Sequence, residues 1–330
     1  MELSEAVKEL DAKIQNIVIN GWSKNTLKTR NSQWSRYLNF CQEFSLIPLP
    51  ATDRTVVRFL MYQSQTSTYV TVNNYLSAIV TLHKFFGYTS DFRDSFLVKM
   101  FLNGLANTLG KKVKQKHPLT VSNLFEMYAK LDLSCSNNIT LWCACVLGFR
   151  TLLRKSNIVP ENVEDFSHCL RRGDVKFSKN GILLTVKSTK TLKYYERELL
   201  IPLNFIKGSP LCVASMLNVH VAMCPKSGDA PLFWLWGEKS KTWRVLLYKD
   251  LLCFIKKCIS SIGLKDNDFG THSLRRGGAQ FLQAQGVSLV DLQFIGDWRS
   301  FAVMHYLVTP TDRRQCIEDS VSSNLSKMQS

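Results

Sequence analysis

The chain has 330 residues, which is enough to bury a sizeable core and to form two domains. Its net charge of +16 and its pI near 9.4 indicate a polyanionic partner. No apolar run reaches the ~18 residues of a membrane span and no signal peptide opens the sequence, so we expect an intracellular protein rather than a secreted or membrane protein.

Residues 1–109 read as helices separated by short turns. One apolar stripe follows a helix N-cap expected at Asp53, and another stops at Gly87. The pattern predicts a compact helical domain. The apolar residues that recur at helical spacing are Val7, Leu10, Ile14 and Ile17, then Val56, Val57, Leu60 and Met61, then Leu76, Ile79, Val80 and Phe86.

Three basic residues, Lys24, Lys28 and Arg30, stand at the start of a predicted helix in this domain. Basic side chains and backbone amides at a helix N-terminus suit contacts with DNA phosphates. A helix end that is merely solvated fits the sequence equally well. We therefore treat these residues as candidate DNA contacts.

Residues 110–118 break the helical periodicity with charge, Gly and Pro, which predicts an interdomain linker. Its four lysines can follow a DNA backbone as a positively charged strap. They can also act as a nuclear localisation signal, so we expect the protein in the nucleus. A plain solvated linker is the alternative. The four lysines are Lys111, Lys112, Lys114 and Lys116.

Residues 119–330 form the second predicted domain, in which helical patterns resume and a strongly apolar helix covers 141–153. Three β-rich runs predict a small antiparallel sheet, so the expected fold class is mainly α with a small antiparallel β-sheet. The central hairpin of this sheet carries Lys187, Lys190 and Lys193. The β-rich runs are residues 175–177, 181–187 and 197–202.

The most informative stretch is 271–306, which holds His272, Arg275, Trp298 and Tyr306 in that order. A tyrosine that attacks a phosphodiester needs an anion clamp, a proton carrier and a packed floor beside it. These four residues are of the types that supply those parts. The apolar pattern predicts two short helices, a tight turn at Gly296 and Asp297, and a further helix that carries Tyr306.

This stretch resembles the C-terminal signature of the tyrosine recombinase (phage integrase) superfamily, in which His-x-x-Arg is followed by Gly-His or Gly-Trp and then the nucleophilic tyrosine. The resemblance implies a helical core-binding domain over 1–109, the linker at 110–118 and an α+β catalytic domain over 119–330. It also implies double-stranded DNA as the partner and a homo-tetramer on synapsed DNA, with the free protein a monomer or dimer.

In this family a C-terminal helix links the protomers. Residues Ile317, Val321 and Leu325 lie at helical spacing near the end of the chain and match such a helix. Packing of this helix within its own domain is the alternative.

The resemblance also implies a first catalytic arginine, for which Arg154 and Arg150 compete. The family pattern Leu-Arg-x-Ser-Glu-Leu is matched around Arg154 except that Asn157 replaces the acid, whereas Arg150 fits worse. An amide can still accept a hydrogen bond from an arginine, so we expect Asn157 in that role. The variant pattern, with a Gly-x-Trp near the tyrosine, most resembles the recombinases of Crypton-type eukaryotic DNA transposons.

Two further positions of the family site have alternatives in this sequence. The catalytic lysine lies on a β-hairpin turn, where Lys190 fits best and Lys187 second, with a simple phosphate contact as the alternative role. The His/Trp position most often precedes the nucleophile by nine residues, which here is Asp297. We favour Trp298, because an anion would be repelled by the scissile phosphate and an indole can pack against Tyr306.

We therefore predict an enzyme that cleaves and rejoins DNA through a 3′-phosphotyrosine, for excision and integration of a DNA transposon. Its chemistry needs no metal, nucleotide or other cofactor. The ten cysteines show no zinc-ligand spacing, and we expect free thiols. The alternatives are DNA relaxation like that of a type IB topoisomerase, a domesticated DNA-binding protein, and a basic helical protein in which the motif is accidental.

Overall fold

The computed structural model describes residues 4–89, 91–110, 115–189, 192, 197–307, 318–319, 321–322 and 326. The chain divides into two compact units between residues 114 and 115, within the stretch 110–118. No helix of the described part combines the length and the apolar character that a membrane crossing requires. Lys111, Lys112 and Lys114 lie outside the described residues, whereas Lys116 lies inside them.

The first unit is helical throughout its regular structure. Its core is aromatic and aliphatic, with Tyr37, Phe59 and Leu76 fully buried. The described elements are α1 (Glu5–Asn20), α2 (Lys24–Glu43), α3 (Asp53–Ser64), α4 (Tyr69–Phe85) and α5 (Phe96–Leu109).

Side-chain caps fix where four of these helices begin. The hydroxyls of Ser23, Thr52, Thr68 and Ser95 each accept a hydrogen bond from a backbone N–H three residues later. The cap of α3 is therefore Thr52, and the cap predicted at Asp53 is wrong by one residue. Asp53 can instead favour the helix electrostatically, as an acid in the first turn.

Helix α1 departs from the predicted compact domain. Its apolar stripe forms a helix as the spacing predicts, but none of its residues is buried. Leu10, Ile14 and Ile17 are all more than half exposed. A stripe at helical spacing thus predicts the helix without predicting what covers it.

The second unit is mainly helical and carries two small antiparallel sheets. The first sheet has the strand order β1-β2-β3, and its pairing of Val186 with Leu199 is the last before the turn. The elements are α6 (Val121–Ala129), α7 (Ser136–Thr151), α8 (Lys155–Ile158), β1 (Val175–Ser178), β2 (Gly181–Val186), β3 (Leu199–Asn204), α9 (Val213–Met223), β4 (Trp234–Gly237), β5 (Thr242–Val245), α10 (Tyr248–Ser261), α11 (Thr271–Ala284) and α12 (Leu289–Ile295), with 3₁₀ turns at Arg172–Asp174, Asp266–Asp268 and Phe301–His305.

The predicted fold class, mainly α with a small antiparallel sheet, is confirmed. The β4–β5 hairpin was not predicted. Its cross-strand pair of Trp236 and Trp243, with ring centroids 5.4 Å apart, stabilises a ladder of only four residue pairs. The two tryptophans on either side of a short turn are the sequence feature that could have predicted this hairpin.

Helix α7 is the centre of the second unit and is apolar on nearly all sides. It packs against α9, α10 and α11, and Trp142, Leu147 and Phe149 are among its fully or almost fully buried side chains. The helix stops at Leu152, whose φ of 54° is left-handed. This conformation is unfavourable for leucine and turns the chain toward Arg154.

Two glycines explain how closely α11 approaches its neighbours. A Cβ at Gly277 would overlap the carbonyl oxygen of Leu119, and one at Gly278 would overlap that of Phe149. The Gly-Gly pair is a poor helix former, but it allows α11 to pack backbone against backbone on α7. Arg275, two residues earlier, is thereby held at the end of α7.

Candidate active site

Arg275 lies at the centre of the site and is almost completely buried, with 2% of its surface exposed. One terminal nitrogen, Nη1, donates to the carbonyl oxygen of Leu152, and Nη2 donates to that of Gly296 over 2.8 Å. The guanidinium therefore joins the end of α7 to the tight turn that precedes Tyr306. Burial and the nearby Arg154 lower the pKa of Arg275, but an arginine keeps its proton in a protein.

Trp298 and Tyr306 cover the guanidinium. The guanidinium carbon of Arg275 lies 4.0 Å from the centroid of the Trp298 ring and 5.4 Å from that of Tyr306, and the two ring centroids are 5.1 Å apart. A Cβ at Gly296 would overlap the indole, so this turn needs glycine there. The cluster brings a cation and an indole against the candidate nucleophile.

Asp297 makes its hydrogen bonds outside this cluster, although its charge still acts on Arg275. Its Oδ2 accepts from the Thr189 hydroxyl over 2.5 Å, and its Oδ1 accepts from Nη2 of Arg197 over 2.8 Å. Trp298, rather than Asp297, therefore contacts Tyr306. No local sequence pattern predicts the pairing of Asp297 with Arg197, since 100 residues separate the partners.

A short 3₁₀ helix, Phe301–His305, stands where a further helix is predicted, but it ends one residue before Tyr306, which is its C-cap, and residues 308–317 lie outside the described part. The carbonyl groups that a longer helix would use internally have other partners. Arg276 donates to the carbonyl oxygen of His305 over 3.0 Å, and Gln280 donates to that of Tyr306 over 3.1 Å. Sequence reasoning missed both donors, although their spacing of four places them on one face of α11.

Arg154, and not Arg150, comes close to Arg275. Arg154 is the half-buried N-cap of α8, and its charge acts on both Arg275 and His272. Arg150 instead lines a groove with Leu200 and other residues of β3, α11 and α12. Arg150 lies on α7 and Arg154 lies after the left-handed turn at Leu152, so the two side chains lie in different places.

Asn157 does not accept a hydrogen bond from an arginine, and that expectation is wrong. Its Nδ2 donates to the carbonyl oxygens of His168 and Ser188, over 3.0 and 2.7 Å, while its buried Oδ1 has no partner. The physical reason is that two carbonyl groups point at the side chain, and only a donor can satisfy them. A carboxylate there would face two carbonyl oxygens.

His272 is the second residue of α11 and keeps an exposed surface. Partial burial of the ring is the first cause that lowers its pKa, and the charges of Arg275, Lys155 and Arg154 lower it further. The ordinary value for histidine is near 6.5, so the imidazole is neutral at pH 7. A neutral imidazole can accept a proton.

The two candidate lysines of the hairpin differ in what the structure describes. Lys190 lies outside the described residues, so its role stays a prediction. Lys187 pairs through Nζ with Oδ1 of Asp174 over 2.8 Å, and this hydrogen bond raises the pKa of Lys187. Lys187 is thus already partnered by a carboxylate.

The candidate DNA contacts of the first unit lie on α2. Lys24 and Lys28 are exposed near its start. Arg30 is half-buried and donates to the Ser77 hydroxyl over 3.4 Å, as Arg93 does over 2.9 Å. Burial first, and Arg93 second, lower the pKa of Arg30. Sequence reasoning missed Arg93, which lies far from α2 in the chain.

Lys116 belongs to the second unit. Its Nζ donates to the carbonyl oxygen of Asn267, which fixes the residue beside the short 3₁₀ turn after α10. As a DNA contact it stays a prediction.

Comparison with known proteins gives one sequence relative and several similar folds. No family model matches the chain. An integrase/recombinase xerD homolog from Selenomonas ruminantium is 23% identical over 260 residues, which cover 77% of this chain and 72% of the relative.

Three similar structures are complexes with DNA. The Tn1549 transposon integrase in complex with transposon right end DNA has a TM-score of 0.61 at 14% identity, covering 94% of this chain and 98% of that one. A lambda integrase dimer bound to a COC′ core site has a TM-score of 0.59 at 16% identity, covering 90% and 93%. The XerH site-specific recombinase bound to palindromic difH substrate, in a post-cleavage complex, has a TM-score of 0.56 at 17% identity. The match covers 83% of this chain and 72% of that one.

The environment of His272 gives a prediction that needs no DNA. Arg154→Ala removes a positive charge that disfavours the imidazolium, so we expect the pKa of His272 to rise toward its ordinary value. Arg150→Ala is the matched control and leaves the pKa as in the wild type. NMR titration of the histidine ring signals measures both. Equal values in the two variants would contradict the placement of Arg154.

The role of Asn157 gives a second prediction. Asn157→Asp sets a carboxylate against two carbonyl oxygens, and we expect it to lower the free energy of unfolding by about 1–3 kcal/mol. Asn123→Asp is the control, because Oδ1 of Asn123 accepts from the Thr120 N–H and hydroxyl, as a carboxylate also can. Urea unfolding compares the two. A stable Asn157→Asp variant would show that the amide donors are dispensable.

Proposed function

We propose that this chain, which sequence and fold together support as a tyrosine recombinase (phage integrase) superfamily enzyme, breaks and rejoins double-stranded DNA through a 3′-phosphotyrosine at Tyr306. The observation that carries the proposal is the cluster of Arg275, Trp298 and Tyr306, in which a buried guanidinium lies under the candidate nucleophile. Arg154 and His272 border the same cluster.

In the cleavage step, the phenol oxygen of Tyr306 bonds to phosphorus and the bond from phosphorus to the 5′ oxygen breaks. The phenol proton leaves, and we assign the neutral imidazole of His272 as the group that accepts it. The departing oxygen gains a proton, which we assign to Lys190. Rejoining is the reverse, with a 5′ hydroxyl attacking the phosphotyrosine. One ester replaces another, so the step needs no nucleotide.

The two arginines stabilise the charge that develops on the non-bridging oxygens. A guanidinium has five N–H donors, and the two carbonyl contacts of Arg275 leave others for an anion. Because those contacts already fix the group, it does not have to reorganise when charge appears. Loss of one such donor typically costs on the order of a hundredfold or more in rate.

The similar structures support DNA as the partner, since each is bound to DNA. The lambda integrase neighbour is a dimer on its core site, and we extend this to a homo-tetramer on synapsed DNA. Trans docking of a C-terminal helix is part of that proposal, although Ile317 and Leu325 lie outside the described residues.

A transposon role is the finer part of the proposal. It is supported by similarity to the Tn1549 transposon integrase and by the sequence pattern of 152–157, which resembles Crypton-type recombinases. Nuclear localisation through the lysines of 110–118 follows from the same proposal for a eukaryotic element.

The test is covalent capture of DNA. Wild-type protein is incubated in EDTA with a labelled library of nicked duplexes whose central base pairs are randomised, and denaturing gels detect DNA that remains attached. We expect Tyr306→Phe to bind the selected DNA but to form no adduct, because it lacks the nucleophilic oxygen. Tyr128→Phe, whose ring packs on Trp142 in the core, is the control that keeps the adduct.

An adduct that persists in Tyr306→Phe, or no adduct with the wild type, would overturn the assignment. Relaxation of supercoiled plasmid without strand exchange between selected duplexes would indicate topoisomerase-like activity instead.

A further inference from the structure

The turn between β2 and β3 is held from two sides by polar side chains. The described strand pairing ends at Val186 and Leu199, so the described residues between them, 187–189, 192 and 197–198, lie beyond the ladder. The described residues of this turn make hydrogen bonds to two segments that also carry candidate catalytic groups. One of these segments contains Arg154 and the other precedes Tyr306.

The first anchor is Asn157, three residues after Arg154. Its amide donates to the carbonyl oxygen of Ser188 over 2.7 Å, and its own backbone N–H donates to the carbonyl oxygen of Arg154 over 2.8 Å. The residue is 1% exposed, so the contact is shielded from competing water. The start of the turn is therefore fixed to the arginine segment.

The second anchor is Asp297, which accepts from Thr189 and from Arg197 at the two ends of the turn. The carboxylate is 4% exposed, whereas Arg197 is 48% exposed. A buried carboxylate without charged partners would be costly, and the ion pair with hydrogen bonds offsets that cost. The end of the turn is thereby fixed to the residue next to Trp298.

Thr189 connects Asp297 to Leu192 through two hydrogen bonds of its hydroxyl. Its hydroxyl donates to Asp297 and accepts from the N–H of Leu192 over 2.9 Å, and Leu192 is 1% exposed in the hydrophobic core. Thr189 and Leu192 flank Lys190 closely in the sequence. Both flanks of the candidate proton donor are thus attached to fixed parts of the domain.

We propose that Asp297 is a positioning residue for the reaction, and that it acts through the β2–β3 turn by setting where the proton donor of that turn meets the departing 5′ oxygen. The inference rests on the proposed function. It gives a role to a residue that differs from the His or Trp expected nine positions before the nucleophile.

The action of Asp297 is separable from the geometry around Tyr306. Its carboxylate accepts hydrogen bonds from Thr189 and Arg197, which both lie in the turn between β2 and β3. Its charge also raises the pKa of Arg275, but an arginine keeps its proton in a protein with either aspartate or asparagine at 297. The 296–298 turn has its own supports, since Gly296 accepts from Arg275 and the Trp298 N–H donates to the carbonyl oxygen of Gln293 over 2.9 Å. Asparagine also tolerates the left-handed backbone at 297, where φ is 50°.

The test compares two versions of the duplex that the wild type selects, identical except that sulfur replaces the bridging 5′ oxygen at the cleaved phosphate. In the second version the phosphorus–sulfur bond breaks and a thiolate leaves. A thiol has a pKa near 8.5, far below that of an alcohol, so its departure needs no proton donor. A defect in proton delivery therefore disappears on the sulfur substrate.

We expect Asp297→Asn to slow adduct formation on the oxygen substrate by up to about a hundredfold, as a displaced catalytic group can. On the sulfur substrate it reacts at the wild-type rate. Lys190→Ala shows the same pattern, whereas Arg154→Ala stays slow on both substrates. Asp291→Asn is the matched control, since it alters an exposed carboxylate that accepts from the Ser288 hydroxyl in the first turn of α12, and we expect it to react like the wild type throughout.

A variant with Arg197→Gln adds a second check. Asp297 acts in part through Arg197. On the oxygen substrate, the double variant Asp297→Asn with Arg197→Gln should therefore form the adduct no more slowly than Asp297→Asn alone. Equal slowing of Asp297→Asn on both substrates, or wild-type rates on both, would overturn the inference while leaving the proposed function intact. Absence of any wild-type adduct on either substrate would instead overturn the proposed function.

Discussion

The buried guanidinium of Arg275 is the interaction on which the second unit depends. Helix α7 ends in a left-handed residue, and the carbonyl group of Leu152 would lack a partner there without Arg275. The same guanidinium satisfies Gly296 in the turn before Tyr306. A buried charge is tolerated only when hydrogen bonds surround it, so the fold must keep these segments together around the arginine.

Packing and polar anchors then build the remainder of the site around this centre. The glycines at 277 and 278 let α11 approach α7 closely enough for Arg275 to reach the helix end. Asn157 connects the β2–β3 turn to the segment that carries Arg154, and Asp297 connects it to the segment that carries Trp298. Two departures from the family pattern, an amide for an acid and an aspartate before the tryptophan, thus make contacts that suit the residues found there.

The sequence predicted what depends on local periodicity and on side-chain chemistry. It predicted the fold class, the β-rich region and a motif whose Arg275, Trp298 and Tyr306 the structure brings together. It did not predict the donor role of Asn157 or the partner of Asp297, because those depend on groups far away in the chain. It also placed Tyr306 on a further helix, since a single sequence does not show that residues of α11 take the carbonyl groups around Tyr306.

The central claim is that Tyr306 becomes the covalent link to DNA, and mass spectrometry of the trapped complex tests it most directly. After digestion with trypsin and nuclease, the peptide of residues 300–313 contains a single tyrosine, Tyr306. The account predicts that this peptide carries the remaining 3′ nucleotide as a phosphotyrosine ester. A nucleotide attached to any other peptide of the wild-type protein would contradict it.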